Sequence, residues 1–328
     1  MQTILPSFWS RAANSNSATQ RHHLLLSDGD TLVLHDDCPA NWRQGQRAAL
    51  LVHGLGGSHA SPYMQRLATK LTRVGIRAFR LDLRGHGLGY SLAQQPGHAG
   101  RSEDARAAVL EIAKRCPDSP VTVVGVSMGG NIVLKMLGES GEVAVGQVDS
   151  AVAVAPPIAL ADCCRSMMQR ESRIYSRAFT KALVRQVKAR RRFIPRLNDI
   201  PLTPFPSSLW EFDDRFTAPL AGFRNADEYY ERSSSSPLLA RITVPTLVLA
   251  AADDPIVPVS IFHQTRYSPT TKLMITEHGG HVGYIAASPG EDADRYWMDW
   301  RIVQFVLARE EDRQSQDSRQ QPRESVAQ

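Results

Sequence analysis

The fold is decided by residues 121–135, which read Val121-Thr122-Val123-Val124-Gly125-Val126-Ser127-Met128-Gly129-Gly130-Asn131-Ile132-Val133-Leu134-Lys135. The stretch opens with apolar, β-branched residues, which are typical of a strand buried on both faces. It turns at residues 125–129 and continues with helical periodicity through Gly138. A serine at such a strand-to-helix corner is held in a strained turn with its Oγ exposed above the sheet edge. The Gly-x-Ser-x-Gly pattern alone is a weak signal, so the strand before it and the helix after it make Ser127 a candidate nucleophile.

The composition is that of one large folded unit. With 328 residues and 42% hydrophobic content, the chain can bury a large core, as one domain or as one domain with an insertion. A formal net charge of +5 is modest for this length and does not indicate a nucleic-acid partner. The four cysteines are too few and too irregularly spaced for a disulfide framework or a zinc site. We therefore expect reduced thiols in a cytoplasmic protein.

The two ends of the sequence differ in composition from the middle. Residues 1–23 include a stretch rich in Ser, Asn and Ala, and they lack the basic and apolar regions of a signal peptide. We interpret them as a loose lead-in. Residues 310–328 are charged, rich in Gln and nearly free of large apolar groups, so we predict a disordered tail. Since no run of eighteen apolar residues is present, we expect no transmembrane span.

Strands and helices are predicted to alternate along most of the chain. The predicted strands are Leu24–Leu26, Thr31–His35, Ala48–His53, Ile76–Leu83, 121–126, Val148–Ala155, Pro245–Ala251 and Lys272–Thr276. The predicted helices are Pro62–Arg73, Ser102–Arg115, about 128–138 and about Ala293–Arg309. Such alternation with short connections favours a parallel sheet with helices on both faces. We predict an α/β fold with a mostly parallel eight-stranded sheet.

The alternation is interrupted over residues 158–240. The first part of this block is helical and carries apolar residues spaced by four, namely Tyr175, Phe179, Leu183 and Val187. The second part is rich in proline and aromatic residues. An insertion between late strands of an α/β sheet lies over the carboxyl ends of the strands, where active-site crevices form. We predict that residues 158–240 form a helical cap inserted after the sixth strand, on a core of residues 24–157 and 241–309.

Acyl transfer by a serine needs a base and an anion that orients the base. On α/β sheets of this kind the order along the chain is Ser, then Asp or Glu, then His. Ser127, Asp254 and His281 follow three separate predicted strands in that order, and they are our candidate catalytic residues. Asp253 also follows the strand that ends at Ala251, so the residues alone leave the choice between the two aspartates open.

Several histidines compete with His281 for the role of general base. His281 follows two glycines, which allow its loop to bring the imidazole close to Ser127. His53 lies upstream of the serine, His86 is flanked by glycines in a tight turn, and His278 lacks the preceding glycine pair. We therefore favour His281.

An oxyanion hole needs two backbone N–H groups that point at the developing alkoxide. We predict that one belongs to Met128, directly after the nucleophile at a helix N-terminus, where the helix dipole adds to it. The other is expected from Leu55, which follows His53-Gly54 after the third strand. Gly56 and Gly57 would let that loop approach the substrate carbonyl.

The sequence resembles the YheT-type α/β-hydrolases, bacterial relatives of the animal abhydrolase-domain lipid and ester hydrolases. The resemblance covers roughly residues 24–309. It is carried in the core by Leu51-Val52-His53-Gly54-Leu55-Gly56-Gly57-Ser58, by residues 125–139, by Asp253-Asp254-Pro255 and by Gly279-Gly280-His281-Val282-Gly283-Tyr284. In the insertion it is carried by Glu211-Phe212-Asp213-Asp214-Arg215-Phe216-Thr217-Ala218-Pro219, Gly222-Phe223 and Tyr229-Tyr230. The resemblance implies a carboxylic-ester hydrolase without a metal or an organic cofactor, acting on a small-molecule or lipid ester.

The resemblance also bears on the choice of acid. In such proteins the orienting Asp usually lies four residues before the proline of an Asp-x-x-x-Pro turn. Pro258 selects Asp254, and Asp253 remains the alternative.

The same three residues are compatible with other activities. An amide or lactone hydrolase, or an acyltransferase, would use the same triad. A non-catalytic scaffold or membrane-surface protein on this fold is a further alternative, because fold does not fix function. The absence of a triad member would mark such a protein, and the sequence has all three candidates.

The predicted cap is basic. Seven basic residues follow one another without an acid: Lys181, Arg185, Lys188, Arg190, Arg191, Arg192 and Arg196. A solvated basic face is one interpretation of this pattern. The functional alternative is peripheral contact with an anionic membrane, or with the head group of an acidic substrate near the entrance of the site.

Overall fold

The computed structural model describes residues 19–290 and 292–320, and a single sheet of eight strands organises them. The strands are β1 (Gln20–Leu25), β2 (Thr31–Asp37), β3 (Ala48–Val52), β4 (Arg77–Asp82), β5 (Val121–Val126), β6 (Val148–Val154), β7 (Thr246–Ala251) and β8 (Thr271–Thr276). Their order across the sheet is β1-β2-β4-β3-β5-β6-β7-β8. Only the pairings of β1 with β2 and of β2 with β4 are antiparallel. The prediction of a mostly parallel, eight-stranded α/β fold is confirmed.

Helices cover both faces of this sheet. The helices outside the insertion are α1 (Pro62–Arg73), α2 (Ser102–Arg115), α3 (Met128–Ser140), α9 (Ser260–His263) and α10 (Trp297–Gln320). Side chains of a strand alternate between its two faces. Accordingly Ala49 and Leu51 of β3 pack in a cluster with α1 and α10, while Leu50 and Val52 pack in a second cluster with α2 and α3. Burial on both faces explains why the central strands read as continuous apolar runs.

A separate group of helices lies between β6 and β7. They are α4 (Leu160–Met168), α5 (Arg173–Arg190), α6 (Leu209–Phe212), α7 (Ala218–Leu220) and α8 (Ala226–Ser233). A π-helical turn at Asp213–Thr217 joins α6 to α7. Their apolar faces are continuous with the cluster formed by α2 and α3, so this segment packs on the sheet domain.

The described ends differ from the sequence-based expectation. The first strand begins at Gln20, four residues before the predicted core, whereas residues 1–18 lie outside the described residues. The last helix continues to Gln320, so the predicted disordered tail is helical over residues 310–320. Glu310 pairs with the buried Arg47 and with Arg313, which holds the start of this extension against the sheet domain. Residues 321–328, the rest of the predicted tail, lie outside the described part of the chain.

Within residues 19–290 and 292–320, no helix combines the length and the apolar character needed to cross a bilayer.

Candidate active site

The candidate nucleophile occupies the corner between β5 and α3. Ser127 has φ +54° and ψ −122°, a conformation that is strained for a residue with a side chain. Glycines on either side make the corner possible. A Cβ on Gly125 would lie 2.3 Å from the carbonyl oxygen of Gly129, and a Cβ on Gly129 would lie 2.3 Å from that of Val52. The strand and the helix are therefore packed backbone to backbone around Ser127.

His281 and Asp254 complete a chain of hydrogen bonds that starts at Ser127. The Oγ of Ser127 lies 2.8 Å from Nε2 of His281, and Nδ1 of His281 lies 2.8 Å from Oδ2 of Asp254. Since a carboxylate only accepts, Nδ1 carries the proton and Nε2 is left to accept from the serine hydroxyl. These three residues follow β5, β7 and β8, whose carboxyl ends share one edge of the parallel sheet.

The two adjacent aspartates have different partners. The second oxygen of Asp254 accepts hydrogen bonds from the backbone N–H groups of Ile256 and Val257, at 2.8 and 3.0 Å. Asp253 turns away from the imidazole and accepts from the N–H groups of Gly279 and Gly280, at 2.8 and 2.7 Å. The structure thus places Asp254 against His281, and Asp253 holds the loop that leads to the histidine.

The loop that carries His281 depends on the glycine pair. Gly280 has φ +56°, and a Cβ on Gly279 would lie 2.6 Å from the ring of Tyr284. His278 is largely exposed and lies 3.6 Å from Asp253, so it does not reach the serine.

The loop after β3 reaches the nucleophile from the other side. A Cβ on Gly54 would lie only 3.0 Å from the Cβ of Ser127, so this close approach needs a glycine. The next residue, Leu55, lines the same cavity as Ser127 and Met128. Met128 is the first residue of α3, where a backbone N–H has no partner inside the helix. The two predicted oxyanion donors are therefore on the two backbone segments that flank the serine.

His53 shapes this loop rather than the chemistry. Its Nε2 accepts from the N–H of Leu83 at 3.2 Å, and its Nδ1 lies 2.8 Å from the carbonyl oxygen of Gly54. Burial lowers the pKa of His53 to about 3, so the ring is neutral and holds both backbone segments in place.

Two cavities meet at Ser127 and His281. The first contains about 1230 Å³ of space, its open mouth included, and α5 contributes Phe179, Leu183 and Val187 to its lining. The second lies over the loop after β3 and is bordered by Tyr63 and Tyr175. Both cavities are lined mainly by apolar groups. The residues common to both are Leu55, Ser127, Phe179, Ile256 and His281.

The seven basic residues of the predicted cap do not share one surface. Lys181, Arg185, Lys188 and Arg192 are exposed, whereas Arg190 is only 6% exposed. The Nη2 of Arg190 donates to the carbonyl oxygen of Ala93, and the side chain lines the first cavity. The interpretation of all seven as one basic face is therefore wrong at Arg190, because α5 turns this position toward the sheet domain. Sequence reasoning could have found it, since Arg190 extends the stripe of Phe179, Leu183 and Val187 by three residues.

A buried carboxyl group in the insertion was also missed. Asp213, in the π-helical turn, lines the first cavity and accepts hydrogen bonds from Thr217 and Tyr230, at 2.6 and 2.7 Å. Burial raises the pKa of Asp213 to about 6, although both hydrogen bonds act in the opposite direction. The sequence shows two adjacent acids, Asp213 and Asp214, among apolar residues of the insertion. Only the folded insertion shows that Asp213 is the one that is buried and lines the cavity.

One group of potential metal ligands exists among the described residues, namely His35, His59 and Asp82. The carboxylate of Asp82 lies 2.9 Å from Nε2 of His35 and 2.8 Å from Nδ1 of His59. It also accepts from the N–H groups of His59 and Leu88. These hydrogen bonds account for the cluster without an ion, and it lies outside both cavities at the serine.

The sheet order and the strained serine corner define the class of α/β-hydrolases. A family model described as "Alpha/beta hydrolase family" matches residues 49–296. Among solved structures, the Pyrococcus furiosus esterase Pf2001 superposes with a TM-score of 0.57 at 17% identity, covering 89% of this chain and 93% of that one. At this identity the similarity concerns the fold alone.

Sequence relatives narrow the assignment within the family. The Escherichia coli protein named "Putative esterase YheT" is 32% identical over 310 residues, which are 93% of this chain and 89% of that protein. The "Monoacylglycerol lipase" of Saccharomyces cerevisiae is 28% identical over 83% of this chain and 61% of its own length. The mouse "Phospholipase ABHD3" is 27% identical over 79% and 63%. The chain thus spans less than two thirds of these two longer relatives. The chain belongs to the alpha/beta hydrolase family and is a YheT-type member of it.

Proposed function

We propose that this protein hydrolyses carboxylic esters through a covalent acyl-enzyme on Ser127. The observation that carries this proposal is the hydrogen-bond chain from Ser127 through His281 to Asp254 at the meeting point of two apolar cavities. A nucleophile, a base and an orienting anion within hydrogen-bond reach are the parts that acyl transfer by serine needs. The names of the sequence relatives, an esterase and two lipases, support the same reaction class.

The first half of the reaction makes the acyl-enzyme. The Oγ of Ser127 attacks the ester carbonyl carbon while Nε2 of His281 takes the hydroxyl proton. The negative charge that develops on the carbonyl oxygen is stabilised by the backbone N–H groups of Leu55 and Met128. The bond to the leaving oxygen then breaks, and His281 returns its proton to that oxygen, which releases the alcohol. Asp254 holds the imidazole in the required tautomer and stabilises its protonated form.

The second half regenerates the serine. A water molecule attacks the acyl carbon while His281 removes one of its protons. When the tetrahedral intermediate collapses, the bond to Ser127 breaks and the serine oxygen takes the proton back from His281. The carboxylic acid leaves, and no metal or organic cofactor takes part in either half.

The two cavities support a substrate with a sizeable apolar group on each side of the ester bond. One cavity would hold the acyl part and the other the alcohol part, with the carbonyl at Ser127. Lipid esters and larger small-molecule esters have this shape. An amide, a lactone or an alcohol acceptor in place of water would use the same triad, so these activities are the alternatives that a substrate screen separates.

Peripheral contact with anionic membrane is a further proposal that the exposed residues of α5 support. Lys181, Arg185 and Lys188 follow one another at helical spacing on its exposed side. The helix also lines both cavities, through Phe179. A lipid surface bound there would lie next to the site.

The test of the ester-hydrolase proposal is the Ser127→Ala variant with a series of nitrophenyl esters of increasing acyl length. We expect essentially complete loss of turnover with an unchanged thermal unfolding curve, because the Oγ faces the cavity and supports no packing. A fluorophosphonate should add mass to the wild-type protein at Ser127 and not to the variant. Turnover retained by Ser127→Ala, or labelling at another residue, would overturn the assignment.

A further inference from the structure

A buried cation lies in the cavity that leads to the serine. Arg190 is in the last turn of α5, on the same side of the helix as Leu183 and Val187, and it is only 6% exposed. Its side chain lines the first cavity together with Ser127 and His281. Phe179 lines both cavities together with Ser127 and His281. Since an α-helix rises about 1.5 Å per residue, Arg190 lies about 16 Å from Phe179 along the axis of α5. The cavity therefore joins the serine to a remote cationic end.

The guanidinium of Arg190 has few partners for a buried charge. Its Nη2 donates to the carbonyl oxygen of Ala93 at 2.6 Å. Its Nε is buried without a hydrogen-bond partner, and the described residues place no carboxylate within ion-pair distance of it. A buried charge is expected to be paired, because removing it from water costs several kcal/mol. Burial lowers the pKa of Arg190, yet arginine keeps its proton at neutral pH.

The nearby acids are already used. Arg84, which lines the same cavity, pairs with Asp28, Asp30 and Asp104. Of these, Asp30 is the acid whose charge acts on Arg190. One oxygen of Asp30 accepts from the N–H of Gln94 at 2.6 Å. The other accepts from Arg84 at 2.6 Å and from the N–H of Gln95 at 2.9 Å. Both oxygens of Asp30 are thus held by donors other than Arg190.

The surrounding chain makes room for the guanidinium in this position. A Cβ on Gly85 would lie 2.3 Å from Nη1 of Arg190, so the glycine leaves the space that the cation occupies. The neighbouring Gln186 donates to the carbonyl oxygen of Gly85 at 2.8 Å and fixes α5 against this loop. The exposed Arg192, two residues further on, shows that a basic side chain at this end of the helix can reach water. Arg190 is instead held inside the cavity.

We propose that Arg190 forms a subsite for an anionic group of the substrate, a carboxylate or a phosphate, at the end of the cavity remote from Ser127. A guanidinium has planar donors that match both groups, and the Nη1 of Arg190 donates to no acceptor among the described residues. The apolar residues between the two ends would hold the chain that joins the anion to the ester bond. The preferred substrate is then an ester with an apolar spacer and a terminal anion. This inference rests on the proposed ester-hydrolase function.

The experiment compares matched anionic and neutral esters in the same variant. One pair is a series of nitrophenyl hemiesters of dicarboxylic acids, from succinate to dodecanedioate, and their terminal methyl esters. The other pair is the nitrophenyl ester of an ω-phosphonooxy fatty acid and that of the corresponding ω-hydroxy fatty acid, which places a phosphate at the same remote position. The variants are Arg190→Gln, Arg190→Lys and, as a matched exposed control, Arg192→Gln.

We expect the wild type to prefer the anionic member of at least one pair. In Arg190→Gln the ratio of kcat/KM for the anionic ester to that for the neutral ester should fall about tenfold to a hundredfold, because a charge-assisted contact is lost. Arg190→Lys should retain part of the preference, and Arg192→Gln all of it. A merely structural arginine would change both esters alike and leave the ratio unchanged.

A binding measurement separates this inference from the reaction itself. Calorimetry with dodecanedioate and with dodecanol on the wild type and on Arg190→Gln needs no turnover. Tighter binding of the dicarboxylate that is lost in Arg190→Gln would support the subsite even if no ester were hydrolysed. The absence of any preference for the anion in the wild type, in both the kinetic pairs and the calorimetry, would overturn it. Turnover of neutral esters that disappears in Ser127→Ala would then leave the proposed reaction standing alone. If Arg190→Gln does not fold, the wild-type preference and Arg190→Lys decide the question.

Discussion

Asp253 and Asp254 are neighbours in the chain, but their carboxylates form hydrogen bonds with different partners. Asp254 meets His281 at 2.8 Å, whereas Asp253 accepts from the backbone of Gly279 and Gly280. We expect Asp254→Asn to lower kcat about 10⁴-fold, by analogy with the loss of the orienting carboxylate in a serine-protease triad. Asp253→Asn keeps an oxygen acceptor for the two glycines and should cost far less. Steady-state kinetics on a nitrophenyl ester measures both. If Asp253→Asn were the more damaging change, Asp254 would lose its assigned role.

The buried carboxyl group of Asp213 is expected to make the stability of the folded protein depend on pH. Because burial raises its pKa from 3.8 to about 6, folding favours its neutral form. Its stabilising contribution is therefore complete below pH 3.8 and is lost as the pH rises through about 6. As the pH rises from 3.8 to above 6, the unfolding free energy of the wild type should fall by about 2–3 kcal/mol relative to that of Asp213→Asn, whose amide does not titrate. The variant keeps an acceptor for Thr217, and Tyr230 can turn its hydroxyl hydrogen to Cys164. Urea unfolding at several pH values tests this, and parallel pH profiles would contradict it.

At the level of elements, the corner between β5 and α3 requires glycine at position 129 much more than at position 130. A Cβ on Gly129 would lie 2.3 Å from the carbonyl oxygen of Val52, whereas a Cβ on Gly130 would lie 3.1 Å from the side chain of Pro156 and 3.2 Å from the carbonyl oxygen of Gly125. We expect Gly129→Ala to cost about 1–3 kcal/mol or more, since α3 must move away from β3. It should also abolish turnover by displacing Ser127. Gly130→Ala is the control and should cost much less, because its neighbours need to shift by much less and alanine has about 1 kcal/mol more helix propensity than glycine. Thermal unfolding and ester kinetics on the two variants test the prediction, which fails if they behave alike.

The same corner shows what the sequence could predict and why. Its strand, turn and helix are local features, so apolar runs and glycines were sufficient to place Ser127 between β5 and α3. Helix α1 was predicted with its observed bounds, Pro62–Arg73, since its proline and its apolar spacing are local as well. The burial of Arg190 depends instead on contact between α5 and Ala93, about a hundred residues away in the chain. Periodicity placed α5 correctly as a helix but could not show which polar residue on it faces inward.

At the scale of the whole molecule, the cavities could not be predicted because no single segment forms them. Their walls come from the loop after β3, the corner at Ser127, the insertion and the loop of His281. The distances between such segments are set by the packing of the sheet and its helices. The order of Ser127, Asp254 and His281 along the chain could be predicted from the sequence, but the size of the cavities around them could not.

The exposed basic residues of α5 give a prediction for the whole protein. Lys181, Arg185 and Lys188 are exposed, and within the described part of the chain none of them forms an ion pair. Near an anionic bilayer each contributes about 1 kcal/mol, and salt weakens the attraction. We expect the protein to sediment with phosphatidylserine-containing vesicles at low salt and to do so much less when all three residues are changed to Gln. A variant with the same charge loss elsewhere, Arg43, Lys114 and Arg224 changed to Gln, is the control. Equal sedimentation of the two variants, or equal binding to neutral vesicles, would leave these residues as a solvated surface.

The meeting of two cavities at Ser127 has a consequence for the order in which molecules enter and leave. In the proposed reaction, the departing alcohol would vacate one compartment while the acyl group still filled the other. The next molecule would then reach the acyl-enzyme through the vacated side, without passing the bound chain. Hydrolysis would follow if that molecule were water, and transfer of the acyl group if it were a second alcohol. Phe179 lines both compartments, so under this proposal its size would influence which of the two molecules enters.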